Sequence, residues 1–321
     1  MARRDRQAIQ EFQPDVILCR QDAYCVSMAM AARQTKVPLV IYADAPVAYE
    51  SRMYPPPYRW HPPFLAEALE SWGLKQCSAI TATSHPTVAK IREYGLKAPI
   101  HIIPNGLHPE RYPERSDTRS RSEREALGIT APRVLAFQGG FRAFHGIDKL
   151  RDLMLATAHR NDIHWLLIGD GPERTAVEAT VSGRVKATFL GNRKPEEIGQ
   201  LLSLVDVAIA PHNLVKGIFY LSPLKVIEYA AAGCAVIASA QGDIPWLLDY
   251  GKAGVLLGSN DVESWAAEVN ALLDDPERCR TLGQTARAYV MKNFTWQAIA
   301  NQYAQVLQSV VSPTTHAAPL G

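Results

Sequence analysis

From Pro14 onward, short β-rich apolar runs alternate with longer stretches of helical period. The runs at residues 15–19, 38–42, 79–83 and 100–103 predict four strands in the first third of the chain. After Asn105-Gly106, a turn dipeptide, the pattern changes: residues 111–125 (RYPERSDTRSRSERE) hold no aliphatic side chain, and a domain boundary is expected there. A second series follows, with strands predicted at 133–138, 163–168, 187–190, 207–210, 235–238 and 254–256. Helices are predicted at 148–158, 195–204, 224–232, 262–273, 276–293 and 296–310. Six short strands with intervening helices suffice for a doubly wound parallel sheet, whereas four fall short of one. The expected fold class is α/β, with two Rossmann-like domains facing across a cleft and the N-terminal one incomplete. The division reads as residues 1–120, 121–293, a last helix at 294–311 crossing back to the first domain, and a disordered tail at 312–321.

Composition narrows the class. At 321 residues, 47% apolar and 21% charged, the chain can bury a sizeable core. Thirty-four Lys and Arg against 32 Asp and Glu leave +2, too balanced for a dedicated nucleic-acid binder. Five cysteines, Cys19, Cys25, Cys77, Cys234 and Cys279, include no CxxC pair, which fits a reducing compartment and no zinc site. The most apolar stretch, 226–240, is interrupted by Glu228, Tyr229 and Gly233, and residues 1–6 lack a secretory apolar region; a cytoplasmic location is expected.

Two segments carry candidate chemistry. In Phe137-Gln-Gly-Gly-Phe-Arg-Ala-Phe-His-Gly146 a strand runs into a Gly-rich turn and then a helix. Backbone N–H groups of such a turn can approach an anion, with Arg142 and His145 beside them as a fork donor and a titratable cation. The alternative is a tight βα turn that needs glycine for shape. In residues 220–233 (YLSPLKVIEYAAAG), Ser222 and Pro223 read as N-cap and first helical residue, which would open a helix mouth suited to phosphate. Lys225 and Glu228, three apart, share a face; a carboxylate there suits the two hydroxyls of a ribose. An ordinary surface ion pair is the alternative. No G-x-G-x-x-G and no G-x-x-x-x-G-K-[ST] is present.

These phrases, with Ile103-Pro-Asn-Gly106, Leu167-Ile-Gly-Asp-Gly-Pro172, Phe189-Leu-Gly191, residues 205–211 (VDVAIAP) and Phe294-Thr-Trp296, stand in the order and spacing of one known family. The chain resembles a retaining glycosyltransferase of the GT-B fold, family 4, over residues 15–310. The resemblance implies a nucleoside-diphosphate sugar as donor substrate, no cofactor, no metal site and a hexosyltransferase-like reaction with retention. It implies that Gly139, Gly140 and Arg142 face the diphosphate, that Ser222, Pro223 and Leu224 cap it, and that Glu228 holds the donor ribose. Arg193 falls where nucleobase contacts lie, with a solvated loop arginine as the alternative. Lys225 joins Arg142 in neutralising the departing diphosphate, and His145, expected to face solvent, would be a pH-sensitive phosphate partner.

Three departures stand out. Tyr220 occupies the place of the first Glu of the family's Glu-x7-Glu motif; Gly140 and His145 replace a family Arg and Lys; and the family's N-terminal strand and glycine-rich loop are missing, so that either the polypeptide is shortened or another chain completes that sheet. At the second strand's end Asp44, the counterpart of a family His-Asp, is a candidate to orient or deprotonate the acceptor hydroxyl, or merely caps a turn; Glu50 shares that ambiguity. Residues 54–64 (YPPPYRWHPPF) read as an acceptor lid or a self-packed proline loop, and Ser84 as a cleft-lining group or a helix cap. Expected partners are the nucleotide-sugar donor and a sugar or glycolipid acceptor, with peripheral membrane contact and a partner chain also open, and no nucleic acid. A non-catalytic sugar-nucleotide binder or transferase subunit is the main rival, and a nicotinamide oxidoreductase, suggested by Gly169-Asp-Gly171, a lesser one.

Overall fold

The computed structural model describes residues 1–21, 26–52, 62–115 and 117–311, with side chains of 117–120 left aside. The proline cluster's core, Cys25 and the expected disordered tail at 312–321 lie outside the described residues. The chain forms two compact units: residues 1–105, 220–222 and 297–321, and residues 106–219 with 223–296.

Unit 1 is a four-stranded parallel sheet in the order β1 (Ile17–Arg20), β2 (Leu39–Ala43), β3 (Ala79–Ala82), β4 (Ile100–Ile102). Ile17 pairs with Leu39, Val40 with Ala79 and Ile80 with Ile100. The helices are α1 (Ala2–Phe12), α2 (Val26–Thr35), α3 (Val47–Ser51), α4 (Pro63–Leu74) and α5 (His85–Arg92). Ser84 caps α5 by accepting from the Thr87 amide at 3.2 Å, and its hydroxyl donates to the Tyr220 carbonyl at 2.9 Å. One sheet face packs Leu39, Ile41, Ile80 and Ala82 against helical side chains; the alternate residues Val40 and Ala79 meet Ile299 and Val306 of the final helix, α14 (Trp296–Val311).

Unit 2 is a six-stranded sheet, parallel throughout, in the order β10-β9-β8-β5-β6-β7. The strands are β5 (Arg133–Gln138), β6 (Ile163–Ile168), β7 (Ala187–Gly191), β8 (Val207–Ala210), β9 (Ala235–Ser239) and β10 (Val255–Leu257). Side chains alternate by face: Val134 and Ala136 enter one apolar core, Leu135 and Phe137 the other. The covering helices are α6 (Asp117–Ala126), α7 (Ile147–Ala156), α8 (Arg174–Val181), α9 (Pro195–Leu202), α10 (Leu224–Ala231), α11 (Ile244–Leu247), α12 (Val262–Asp274) and α13 (Pro276–Asn293). Because β6 and β7 follow β5 to one side while β8 lies on its other side, the strand order reverses between β5 and β8. In open α/β sheets ligands bind in the crevice outside the carboxyl ends of the strands at such a switch point.

The units divide at Asn105/Gly106, ahead of the expected boundary near 120. The reason is packing: Leu107 and Tyr112 are buried in the core of unit 2, and the stretch without aliphatics forms α6. Arg124 of that helix donates to the Leu204 carbonyl and to Asp206, so polar tethering replaces an apolar face.

Candidate active site

The turn after β5 and the mouth of α10 meet at the switch point of unit 2. Tyr229 fastens them: its hydroxyl accepts from the Gln138 amide at 2.7 Å and donates to the Gln138 carbonyl at 3.1 Å. Val226, Ile227, Ala230 and Ala231 of α10 are buried, which fixes the helix against the sheet. Gly139 follows at φ 139°, a backbone conformation side chains rarely adopt, and a Cβ there would lie 2.7 Å from Lys225 Nζ. The lysine therefore fills the space a side chain would occupy.

Lys225 is buried, and its ammonium has no hydrogen-bond partner among the described residues. It lies 4.5 Å from the Phe137 ring centroid. Loss of hydration pulls its pKa down to about 7, with Glu228 acting the other way. The expected alternative of a surface ion pair is thus corrected: Glu228 is partly buried and accepts from the Tyr112 hydroxyl at 2.9 Å. Burial raises the pKa of this carboxyl, opposed by the Tyr112 bond and the nearby Lys225 charge.

His145 differs from its expected role. Its Nδ1 hydrogen-bonds the Gly140 carbonyl, and desolvation, then Lys225, pulls its pKa down to about 4, so it is neutral near pH 7. Gly140 lies beside it, and Arg142 is exposed at the entry to the short helical turn Ala143–His145. The helix α10 begins at Leu224, so Pro223 holds the cap position and Ser222 lies one residue outside; Pro223 is extended, with ψ 107°. Arg193 is exposed on the loop after β7.

Sequence reasoning missed His212. Two residues past β8, it is buried, its Nδ1 is unpartnered among the described residues, and its ring stands 5.5 Å edge-on from that of His145. Burial, then Lys225, lowers its pKa to about 2. Gly146 explains the approach: at φ 71°, a Cβ would fall 1.8 Å from the Pro211 carbonyl, so only glycine lets the two loops pack. The signal for His212 was its place after a strand end at the switch point. Tyr112 was missed too, because it lies in the stretch read as a linker. A buried ammonium unpartnered among the described residues, beside a glycine turn, is what an anion would satisfy.

A family described as Glycosyl transferases group 1 matches residues 132–275, and one described as Glycosyltransferase Family 4 matches residues 1–111. The chain belongs to family 4 of the GT-B glycosyltransferases. Among family relatives, the D-inositol 3-phosphate glycosyltransferase of Corynebacterium efficiens is 30% identical over 233 residues, 68% of this chain and 52% of its own length. The GDP-mannose-dependent alpha-mannosyltransferase of Corynebacterium glutamicum is 25% identical over 311 residues, 95% of this chain and 70% of its own. The crystal structure of Anabaena HepE in complex with UDP matches with a TM-score of 0.79 at 20% identity, covering 96% of this chain and 82% of that one. The chain spans about half the length of the first curated relative.

In this family member the N-terminal candidate is engaged. Asp44, just after β2, pairs with Arg20 of β1 at 2.5 Å, and its carbonyl accepts from Thr83. Glu70, buried on α4, accepts from the Tyr94 hydroxyl at 2.5 Å and the Ala48 amide at 3.3 Å, with Gln21 also bonded to it. That carboxylate pins the start of α3. Cys234 and Cys279 are free thiols. Among the described residues no cluster of His, Cys, Asp and Glu could hold a metal ion, and no helix is long and apolar enough to cross a membrane.

Proposed function

We propose that this chain transfers a glycosyl group from a nucleoside-diphosphate sugar to an acceptor hydroxyl with retention at the anomeric carbon, and that the Gly139 turn and the mouth of α10 receive the diphosphate. Lys225 carries this reading: a buried ammonium without a hydrogen-bond partner among the described residues, set against a glycine turn at the switch point. Leaving such a charge uncompensated costs several kcal/mol, about what an arriving anion would restore.

As the bond between the anomeric carbon and the phosphate oxygen breaks, charge gathers on the diphosphate. Lys225, the Gly140 amide, the first-turn amides of α10 and Arg142 are assigned to stabilising it, while the Gly139 amide donates to the Ile168 carbonyl at 2.9 Å and so holds the turn in shape. Ser222, Pro223 and Leu224 cap the phosphates, and His145 lies beside them. Glu228 accepts from the ribose hydroxyls, oriented by Tyr112, and Arg193 is assigned to the base. The acceptor oxygen bonds to the anomeric carbon on the face the diphosphate leaves, and its proton passes to the departing phosphate oxygen. Asp44 is assigned to orienting that acceptor, which requires Arg20 to yield. A metal ion has no assigned step.

Thermal stabilisation by UDP, GDP and ADP tests the donor site. At 100 Kd of the right one, stabilisation should reach about 2.7 kcal/mol; no response to any of the three rejects the reading. The pairing of Asp44 with Arg20, and Tyr220 in the family's Glu position, favour a second reading, a sugar-nucleotide binder without turnover. Saturable binding with no transfer or donor hydrolysis across an acceptor panel would establish it.

A further inference from the structure

Unit 2 contains a cavity of about 710 Å³ that takes no part in the site above. It is bounded by the amino ends of β5 and β8, the turn Ala232-Gly233 after α10 and one flank of α13. Gly139 follows the carboxyl end of the six-residue β5, whereas Arg133 opens it, so the cavity lies roughly 20 Å from the glycine turn along that strand. Its size is ordinary for a small-molecule site.

Four guanidinium groups, Arg115, Arg133, Arg280 and Arg287, line it against two carboxylates, Glu114 and Asp206. Asp206 is already shared between Arg115 at 2.9 Å and Arg124 at 3.0 Å, and also accepts from the Val134 amide. Arg280 pairs with Glu277 at the surface. Arg133 and Arg287 have no ion-pair partner among the described residues; Arg287 instead donates to the Ala231 and Tyr112 carbonyls. Leu272, Leu273 and Met291 form an apolar wall beside these cations. A guanidinium resting on backbone carbonyls keeps donors for an oxyanion, and planar forks suit phosphate.

We propose that this cavity binds a small phosphate monoester, gripped by Arg133, Arg280 and Arg287, with its carbon body on the apolar wall. Occupancy reaches the glycine-turn side of the sheet through one residue. Arg287 bonds the Tyr112 carbonyl at 2.9 Å, and the Tyr112 hydroxyl bonds Glu228 at 2.9 Å. A phosphate that draws Arg287 away loosens the hold on Tyr112, and with it the carboxylate assigned to ribose. This coupling clause rests on the donor reading; the binding claim does not.

The test is calorimetric titration of glycerol 3-phosphate and inorganic phosphate, with glycerol as the uncharged control, into wild type, the R133E/R280E double variant, R287Q and K225M. The Lys225 turn suits phosphate as well, and K225M removes that contribution. Glycerol 3-phosphate should still bind K225M saturably, glycerol should not bind at all, and R133E/R280E should weaken binding at least tenfold while its circular dichroism stays native. R287Q should weaken it similarly, and saturating glycerol 3-phosphate should change UDP affinity at least threefold in wild type. Absence of saturable phosphate binding, or binding abolished by K225M and untouched by R133E/R280E, overturns the proposal. Failure of UDP, GDP and ADP all to bind would refute the donor reading alone, and the K225M titrations would still decide this one.

Discussion

Replacing Lys225 by methionine should make the empty protein more stable and useless for donor binding. In the unfolded chain this lysine titrates near its ordinary 10.5; in the fold, burial brings it to about 7. Between those values the unfolded chain holds more protons, so stability rises with pH across that window. Below pH 7 both states are protonated and the full cost of burying the charge is present; above 10.5 it is gone. Each pH unit of separation is worth about 1.4 kcal/mol, so the cost at neutral pH approaches about 5 kcal/mol. Methionine also loses the ammonium contact with the Phe137 ring, about 0.5–2 kcal/mol, leaving a net gain of about 3–4 kcal/mol. For a unit of this size that raises its melting temperature by roughly 6–16 °C. Scanning calorimetry of wild type and Lys225→Met at pH 6, 7, 8.5 and 10 would show the gain at pH 6 and 7, shrinking toward pH 10. A variant less stable than wild type at pH 6 and 7, or a difference independent of pH, refutes the reasoning.

Glu228→Ala should weaken nucleoside-diphosphate binding by about 1.5–3 kcal/mol, or roughly 10- to 150-fold, and Tyr112→Phe by about 0.5–1.5 kcal/mol, both read by calorimetry. Gly139→Ala places a methyl 2.7 Å from Lys225 Nζ at φ 139°, so it should destabilise unit 2 by about 1–3 kcal/mol in urea and reduce donor affinity at least tenfold. Asp206→Asn strips the partner of Arg115 and Arg124, and a loss of about 2–4 kcal/mol is expected in the same unfolding assay, with donor affinity unchanged. Transfer activity should be unaffected by EDTA; loss restored by a divalent ion would show that a metal acts.

The strands of unit 2 were legible because each is a short apolar run closed by turn residues: β5, β6 and β8 match their expected spans, as does α13, which Asp275 caps and Pro276 opens. α6 was not legible. Its residues carry no aliphatic stripe, and it is held by Arg124 reaching Leu204 and Asp206, partners some 80 positions away. The chemistry at Lys225 was legible in kind and not in state. The spacing of Lys225 and Glu228 placed both on one helix face, but burial of that face depends on the sheet beneath it and on Tyr229 locking it to Gln138. His145 was misjudged for the same reason: its pKa answers to loss of solvent and to Lys225, 80 residues further along the chain. Arg20 and Asp44 are brought together by the pairing of β1 with β2, which no local motif announces.

The donor-site claim is tested most directly by titrating UDP and GDP at pH 8 in two buffers of different ionisation enthalpy. At that pH the free lysine, with its pKa near 7, is mostly neutral, and an arriving diphosphate must protonate it. The account predicts saturable binding by at least one nucleotide, uptake of close to one proton per molecule bound, and loss of both in Lys225→Met. Binding with no proton uptake, undiminished in that variant, would contradict it.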